Sequence, residues 1–321
     1  RFLDPGIFGT SFAAFRNRYA EMGGYQNHEI VALRIAKEMP GGYPNKYYDP
    51  RLAEEFSARM YGIGYRVMAD DVLDLPEVLH VYRSTELEPR ARGVYDALED
   101  DLYAELGVER APGQSIVDAM REAVDVRGTI TAANALVKGL RLQQVTSGYA
   151  PLDDPDEQGE QVIEVLGTEK ESLLEDVIED VPLGEPIVVV CRFTRDLDAV
   201  RRVAEKQGRR YGELSGRRRD GLAEDATMAE DVDVVGIQIQ AGGVGIDLTR
   251  ARYCVLYSVS FSLGDYEQVL RRVHRPGQSR PVTYYHLECE GTIDEGVNVA
   301  LANRRTIVEG VLTNDHKEVS S

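Results

Sequence analysis

The 321-residue sequence predicts an α/β fold, a mostly parallel sheet covered by helices and preceded by a mainly helical segment. Three observations predict it. From Ile187 onward, short apolar runs alternate with amphipathic stretches, the pattern of strands joined by helical crossovers. The first run, Ile187-Val-Val-Val-Cys191, contains no polar side chain and suits a strand buried on both faces. Before Gly184 the dominant spacing is helical instead.

The elements follow in order. Residues 1–90 read as mainly helical, through SFAAFRNRYAEMG and PRLAEEFSARMYGIG. Residues 91–150 read as a helical bridge, with Ile130, Leu136, Leu140 and Val145 at loosely helical spacing and Gly148 as a stop. Residues 151–185 start with PLDDPDEQGEQ and read as an acidic linker leading into a helix. Residues 186–321 carry the sheet, with strands at Ile187–Cys191, Tyr211–Leu214, Val232–Ile239, Tyr253–Tyr257 and Val282–Leu287, and a helix at Leu197–Gln207 after the first. Two later helices open with Ser262-Leu-Gly-Asp265 and Thr292-Ile-Asp-Glu295, where a hydroxyl and a carboxylate three residues apart can satisfy free amide hydrogens.

Composition narrows the function classes. At 43% hydrophobic residues the chain can bury a core, yet its aliphatic runs fall far short of the roughly 18 residues of a membrane span. No signal-peptide pattern is present, and a first residue Arg1 reads as a piece of a longer chain. Cys191, Cys254 and Cys289 lie far apart, and neither CxxC nor HExxH occurs, so no metal site or disulfide framework is expected. Cys191 and Cys254 read as buried packing, which fits a reducing, cytoplasmic setting.

The formal net charge of -18 argues against a surface coated in basic residues, but the charge is segregated. Residues 151–185 hold thirteen acids and one lysine, whereas residues 192–219 hold ten bases and four acids. Residues 268–282 hold four arginines and no acid. On a helix from Ser262 to Arg275, Leu263, Tyr266, Leu270 and Val273 share one stripe, and Gln268, Arg272 and Arg275 share the opposite one. Pro276 ends the helix at Arg275, and Gly277 permits a sharp turn. From spacing alone this face is either solvated or built to grip an anion, the guanidinium being the side chain that holds phosphate bidentately. Arg217, Arg218 and Arg219 are likewise either a solvated turn or backbone contacts to nucleic acid.

The segment QVLRRVHRPGQ, Gln268–Gln278, resembles the last helicase motif of Swi/Snf-type ATPases, Q-A-x-x-R-x-H-R-x-G-Q. IQAGGVGIDLTRA, Ile239–Ala251, is similar to that family's preceding motif, A-G-G-x-G-x-N-L-x-x-A, with Asp247 in the asparagine position. IVVVCRFTRDLDAV and YGELSGRRRD resemble earlier motifs, and YSVSFSLGDYEQ an aromatic-rich segment between the last two. DVLDLPE, LRLQQVTSGY and LDPGIFGTSFAAFRNRY extend the resemblance upstream, and the wording is closest to the phage and prophage-type branch.

The resemblance implies a second RecA-like lobe at 186–321, the tail of a first lobe at 1–90, and a motor that binds ATP with Mg2+ between lobes and sequence-independent duplex DNA across both. The first lobe would bring G-x-x-x-x-G-K-[ST] and an acidic magnesium motif. This chain has no such glycine loop, and its Asp156-Glu157 lies in the acidic stretch. The family roles fall on Arg272 and Arg275 as fingers to the ATP phosphates, and on Gln268, Gly243, Gly245 and Asp247 at the nucleotide. Thr194, Arg195, Gln240, Gly242, Arg217 and Arg218 fall at the DNA. The expectation is the C-terminal half of a DNA-dependent ATPase and translocase, inactive without its first lobe and with no membrane partner. The alternative is a non-catalytic DNA-binding module of the same fold, which has no need of fingers; a gel shift at low and high salt separates a DNA-binding lobe from an unrelated nucleotide enzyme.

Overall fold

The computed structural model describes residues 11–23, 29–36, 38–39, 43–61, 75–107, 115–117, 119–120, 129–155, 161–240 and 245–312. They fall in two compact units, one formed by Arg1–Val72, Val124–Gly128 and Val299–Ser321, the other by Leu73–Ala123 and Thr129–Asn298.

The first unit holds α1 (Phe12–Tyr19), a hairpin of β1 (Ala20–Gly23) and β2 (Glu29–Leu33), the short pair β3 (Glu38–Met39) and β4 (Tyr43–Pro44), and α2 (Pro50–Tyr61). The Ser11 hydroxyl caps α1 by accepting from Ala14 N at 3.2 Å. The helical spacing of the sequence continued to Gly23, but Ala20 turns extended and pairs with Leu33, so sheet pairing ends the helix. Tyr19, Ile35 and Ala53 form a small core, with Phe15 and Phe56 against it.

The second unit begins with β5 (Val78–Thr85), α3 (Pro89–Leu106), α4 (Thr129–Thr146), and a hairpin of β6 (Tyr149–Pro155) and β7 (Gln161–Val165). It continues with α5 (Glu169–Asp180), β8 (Ile187–Cys191), α6 (Thr194–Lys206), β9 (Tyr211–Leu214), β10 (Val234–Gln238) and β11 (Tyr253–Leu256). The series closes with α7 (Leu263–Val273), β12 (Val282–Cys289) and the start of α8 (Ile293–Leu312), whose residues from Val299 on belong to the first unit. Six strands make one sheet in the order β5-β12-β11-β8-β10-β9, and every neighbouring pair is parallel. The expected RecA-like α/β architecture is present.

All five residues of β8 are buried, as its unbroken apolar run requires of a strand covered on both faces. Leu174, Val177 and Ile178 of α5 and Leu197, Val200 and Val203 of α6 pack with Val189 and Val255 in one cluster. All three cysteines are buried and free.

The sheet also takes in a strand from before residue 90. β5 pairs with β12 over its whole length, from Val78↔Val282 to Thr85↔Cys289. The acidic segment is structured too: the β6–β7 hairpin and α5 occupy most of 149–180. It holds the helix expected within it, and its hairpin stands where a linker was expected.

The expected capping boxes form in part. Ser262 Oγ accepts from Asp265 N at 3.3 Å, but Ser262 N donates to Ser260 Oγ. At α8, Glu295 reaches the Gly291 N–H, and Thr292 Oγ1 donates to Cys289 O at 2.7 Å.

Candidate functional site

The sheet has a switch point. β8 leads through α6 toward β9 on one side, β11 leads through α7 to β12 on the other, and β8 and β11 are neighbours. Crevices outside the carboxyl ends of such a strand pair are where open α/β sheets bind ligands. The turn Arg192-Phe193-Thr194-Arg195 leaves β8 at that place and starts α6. Thr194 and Arg195 are exposed. The Arg195 guanidinium lies 5.9 Å over the Tyr149 ring, and Phe193 meets that ring edge-on at 6.3 Å. Gln240, just past the end of β10, is exposed as well.

The turn is fixed from beneath. Arg192 N donates to Ser258 Oγ at 2.8 Å, and Phe193 N to Asp196 Oδ2 at 3.3 Å. The Ser258 hydroxyl donates to the same Asp196 oxygen in a short bond. The Arg192 guanidinium donates to Gln143 Oε1 of α4, whose amide donates to Val259 O at 3.0 Å.

The second group of candidates lies on α7 and the loop after β10. Tyr266, Val269, Leu270 and Val273 are buried, and Leu263 is half-buried. Gln268, Arg272 and Arg275 are all half-buried. The helix ends at Val273 with His274 extended, two residues before the proline stop, so Arg275 sits in the turn. His274 Nε2 stands 2.8 Å from Pro76 O; a carbonyl only accepts, so this nitrogen carries the proton. Gly277 takes a φ of 107°, which favours glycine.

One backbone bond and one side-chain bond join α7 and the turn after it to that loop. Leu248 N donates to Arg272 O at 3.1 Å, and Arg275 Nη1 to Ile246 O at 3.4 Å. Buried Gln278 ties the far side by donating to Thr249 O and Ala251 O at 3.1 and 3.0 Å. Asp247 Oδ1 accepts from Thr249 N and Thr249 Oγ1 at 2.9 and 2.7 Å, closing a local turn. Gly245 is exposed with a φ of 81°. Gly242 and Gly243 lie outside the described residues.

Arg217 and Arg218 are engaged with carboxylates. Arg217 Nε and Nη2 bond Glu213 at 2.8 and 3.1 Å, and Nη2 bonds Asp198 at 2.7 Å. Arg218 pairs with Asp220 in a short bond and lies over Tyr211. The segregated charge of the sequence largely meets its own counter-charge: Arg202 pairs with Glu171, Lys206 with Glu175 and Arg210 with Asp233. Arg209 donates to the carbonyls of Ile178, Val181 and Pro182 at the end of α5. Among the described residues Arg195 has no carboxylate partner.

A buried polar cluster lies at the carboxyl ends of β11 and β12. Lys170 Nζ, 1% exposed, is 2.6 Å from Asp294 Oδ2 and donates to Tyr257 O at 3.2 Å. Asp294 Oδ1 accepts from Thr146 Oγ1 at 3.0 Å. Burial lowers the Lys170 ammonium, but Asp294, with Cys289 and Asp196, more than offsets this and leaves it above its ordinary value. Burial pushes the Asp196 carboxyl up to about 6 against the pull of Ser258 and Lys170. At the sheet edge His80 Nδ1 stands 2.9 Å from His286 Nε2, and burial, then His80, pushes His286 down to about 4.

Sequence reading missed Gln143, Lys170, Asp196, Ser258 and Asp294. An acid at the third position of α6 was the signal for Asp196, since a carboxylate there reaches back to the cap N–H. The others act across elements distant in sequence and left no local pattern.

The parallel sheet, its switch-point crevice and the arginine helix linked to the loop after β10 belong to one α/β lobe. Residues 169–277 match the helicase conserved C-terminal domain. The chain is 32% identical over 140 residues to the SWI/SNF-related matrix-associated actin-dependent regulator of chromatin subfamily A containing DEAD/H box 1 homolog of Drosophila melanogaster. That match covers 42% of this chain and 17% of the relative. It is 33% identical over 140 residues to the ATP-dependent helicase fft1 of Schizosaccharomyces pombe, covering 42% of this chain and 15% of the relative. The matched segment is thus a small part of these relatives' length. The solved Sulfolobus solfataricus SWI2/SNF2 ATPase core domain aligns with 98% of this chain and 56% of its own, at 20% identity and a TM-score of 0.48.

Proposed function

We propose that this chain supplies the second lobe of a DNA-dependent ATPase that translocates on duplex DNA. The observation that carries this reading is the pair of arginines on and just past α7, half-buried and tied by Arg272 O and Arg275 Nη1 to the loop after β10. Held there, Arg272 and Arg275 meet the ATP phosphates across an interlobe cleft, with Arg275 as the finger. Gln268, Gly243, Gly245 and Asp247 line the nucleotide side. Thr194, Arg195, Gln240 and Gly242 contact the DNA backbone, which makes binding sequence-independent and salt-sensitive. Arg217 and Arg218 are assigned a structural role instead, because their charge is already spent on Glu213, Asp198 and Asp220.

The chemistry is electrostatic. Negative charge spreads over the transferred phosphoryl group, and a guanidinium placed against it lowers the barrier; such a finger is worth about 10³ to 10⁵ in rate. DNA binding at the switch point aligns the lobes and brings the finger in. ATP comes with Mg2+, but among the described residues no group of three His, Cys, Asp or Glu could hold a metal. The ion is assigned mainly to the lobe that carries the phosphate loop, and no step here runs through it. This chain lacks that loop, so it turns over no ATP unaided. The test is Arg275→Ala in the protein that includes the phosphate-loop lobe. DNA-stimulated turnover should fall by about 10³ or more with duplex binding retained. Turnover within a few-fold of wild type removes Arg275 from the role.

A further inference from the structure

The β8–α6 turn exposes Thr194 and Arg195 at the switch-point crevice, and its backbone is held by one buried carboxylate. Asp196 is 1% exposed. Its Oδ2 takes the Phe193 N–H directly and the Arg192 N–H through the Ser258 hydroxyl, so two successive amides of the turn end on one oxygen. Ser258 follows β11, and Lys170, which faces Asp196 electrostatically from α5, donates to the carbonyl of the residue before it, Tyr257. Asp294 on α8 completes the Lys170 pair. The crevice between β8 and β11 is therefore tied across by this cluster. An acid this deeply buried is costly to keep. A cap that served α6 alone could be an exposed serine, threonine or aspartate.

We propose that Asp196 is the positioning residue of the DNA-facing turn, fixing the backbone from which Arg195 reaches a phosphate, with Ser258 as its relay. This rests on the reading that Arg195 contacts the DNA backbone. Asp196 itself touches no ligand. Its effect is read through Arg195: a loosened turn no longer fixes the place from which the guanidinium reaches the phosphate, and one phosphate contact is lost.

The experiment measures binding of a short fluorescein-labelled DNA duplex by anisotropy across a salt series, in the full natural protein. The variants are Arg195→Ala, Asp196→Ala, Ser258→Ala, Asp196→Asn and the double Arg195→Ala/Asp196→Ala, each checked by thermal melting. Arg195→Ala should weaken binding about 3- to 10-fold and reduce the slope of log affinity against log salt by about 1. Asp196→Ala should reproduce both changes, and the double variant should be little worse than either single one, because both remove the same contact. Asp196→Asn keeps an acceptor oxygen and should keep most of the slope. A role confined to stability would move the melting temperature and leave the slope alone. Should Asp196→Ala fail to fold, Ser258→Ala cuts the relay without removing the carboxylate and should give an intermediate loss of slope. The proposal falls if Arg195→Ala lowers the slope while folded Asp196→Ala, or in its absence Ser258→Ala, binds as wild type does. If Arg195→Ala also binds as wild type, the DNA reading of the turn falls and this proposal with it.

Discussion

The turn after α7 and the turn after β9 are both rich in arginine, and the chain uses them in opposite ways. At the first, Arg275 rests on a neutral carbonyl, that of Ile246, so its charge remains uncompensated by that contact. At the second, Arg217 is gripped by Glu213 and Asp198, and Arg218 by Asp220. Sequence density of arginine was similar in the two places. What separates them is whether a carboxylate is folded into reach, and β9 folds one in: Glu213 is buried on a strand that ends two residues before the turn. A cation held by a dipole stays available to an anionic ligand, and one held by a carboxylate does not.

Breaking that comparison begins with Arg217. Beyond the loss of turnover expected for Arg275→Ala, the largest effect is on stability. The Arg217 side chain is 38% exposed but Glu213 only 1%, so Arg217→Ala strands a buried carboxylate. Ser215 and Tyr211 still donate to it, which softens the loss. The expected cost is about 1–3 kcal/mol, discounted for the exposed partner. A unit of this size loses about 2–4 °C of melting temperature per kcal/mol. Duplex affinity should stay within about twofold, since the pair offered no open charge to DNA; a large loss of affinity with an unchanged melting temperature would reverse the assignment.

Asp196 sharpens the comparison through pH. Its folded value of about 6 lies above the ordinary carboxylate range, so between the two the folded state binds the extra proton. Ionised Asp196 therefore costs stability as pH rises through that window, and the cost is constant above it. Melts of Asp196→Asn against wild type should show the variant gaining relative stability from pH 4 to pH 6 and levelling off. His286 acts oppositely in an overlapping window, being held at about 4, below the usual histidine range. The unfolded state binds its proton first, so stability is lost as pH falls from about 6.5 toward 4. Subtracting wild type from the asparagine variant cancels the histidine contribution. A difference flat across pH would mean that Asp196 is not held in this state.

The smallest effect belongs to the α5–α6 surface. Arg202→Ala removes an exposed ion pair with Glu171, and such pairs are worth about 0–1 kcal/mol. A melting shift of no more than about 4 °C is expected. A larger shift would show that the acidic segment contributes more than counter-charge.

Legibility in the sequence followed how local each signal was. β8 and β9 were readable to the residue, because an unbroken apolar run and a short strand between charged turns leave little choice. β5 was not, because it is an edge strand with exposed Leu79 and Tyr82, and its partner β12 lies some 200 residues on. The hairpin of β6 and β7 was hidden under acidic composition, which describes solvent exposure and says little about pairing. Among the candidate residues, Gln268 and Arg272 lie on α7 as helical spacing placed them, whereas the helix ends before Arg275. The counter-ions of Arg217 and the bracing of the β8–α6 turn did not, since they join side chains from four or more elements.

The most direct measurement sets the two turns side by side: DNA-stimulated ATP turnover of Arg275→Ala and of Arg217→Ala, in the protein that carries the phosphate-loop lobe, below the melting range of both. The account predicts a fall of about 10³ or more for Arg275→Ala and a rate within a few-fold of wild type for Arg217→Ala. Equal losses in the two variants, or near-normal turnover in Arg275→Ala, would contradict it.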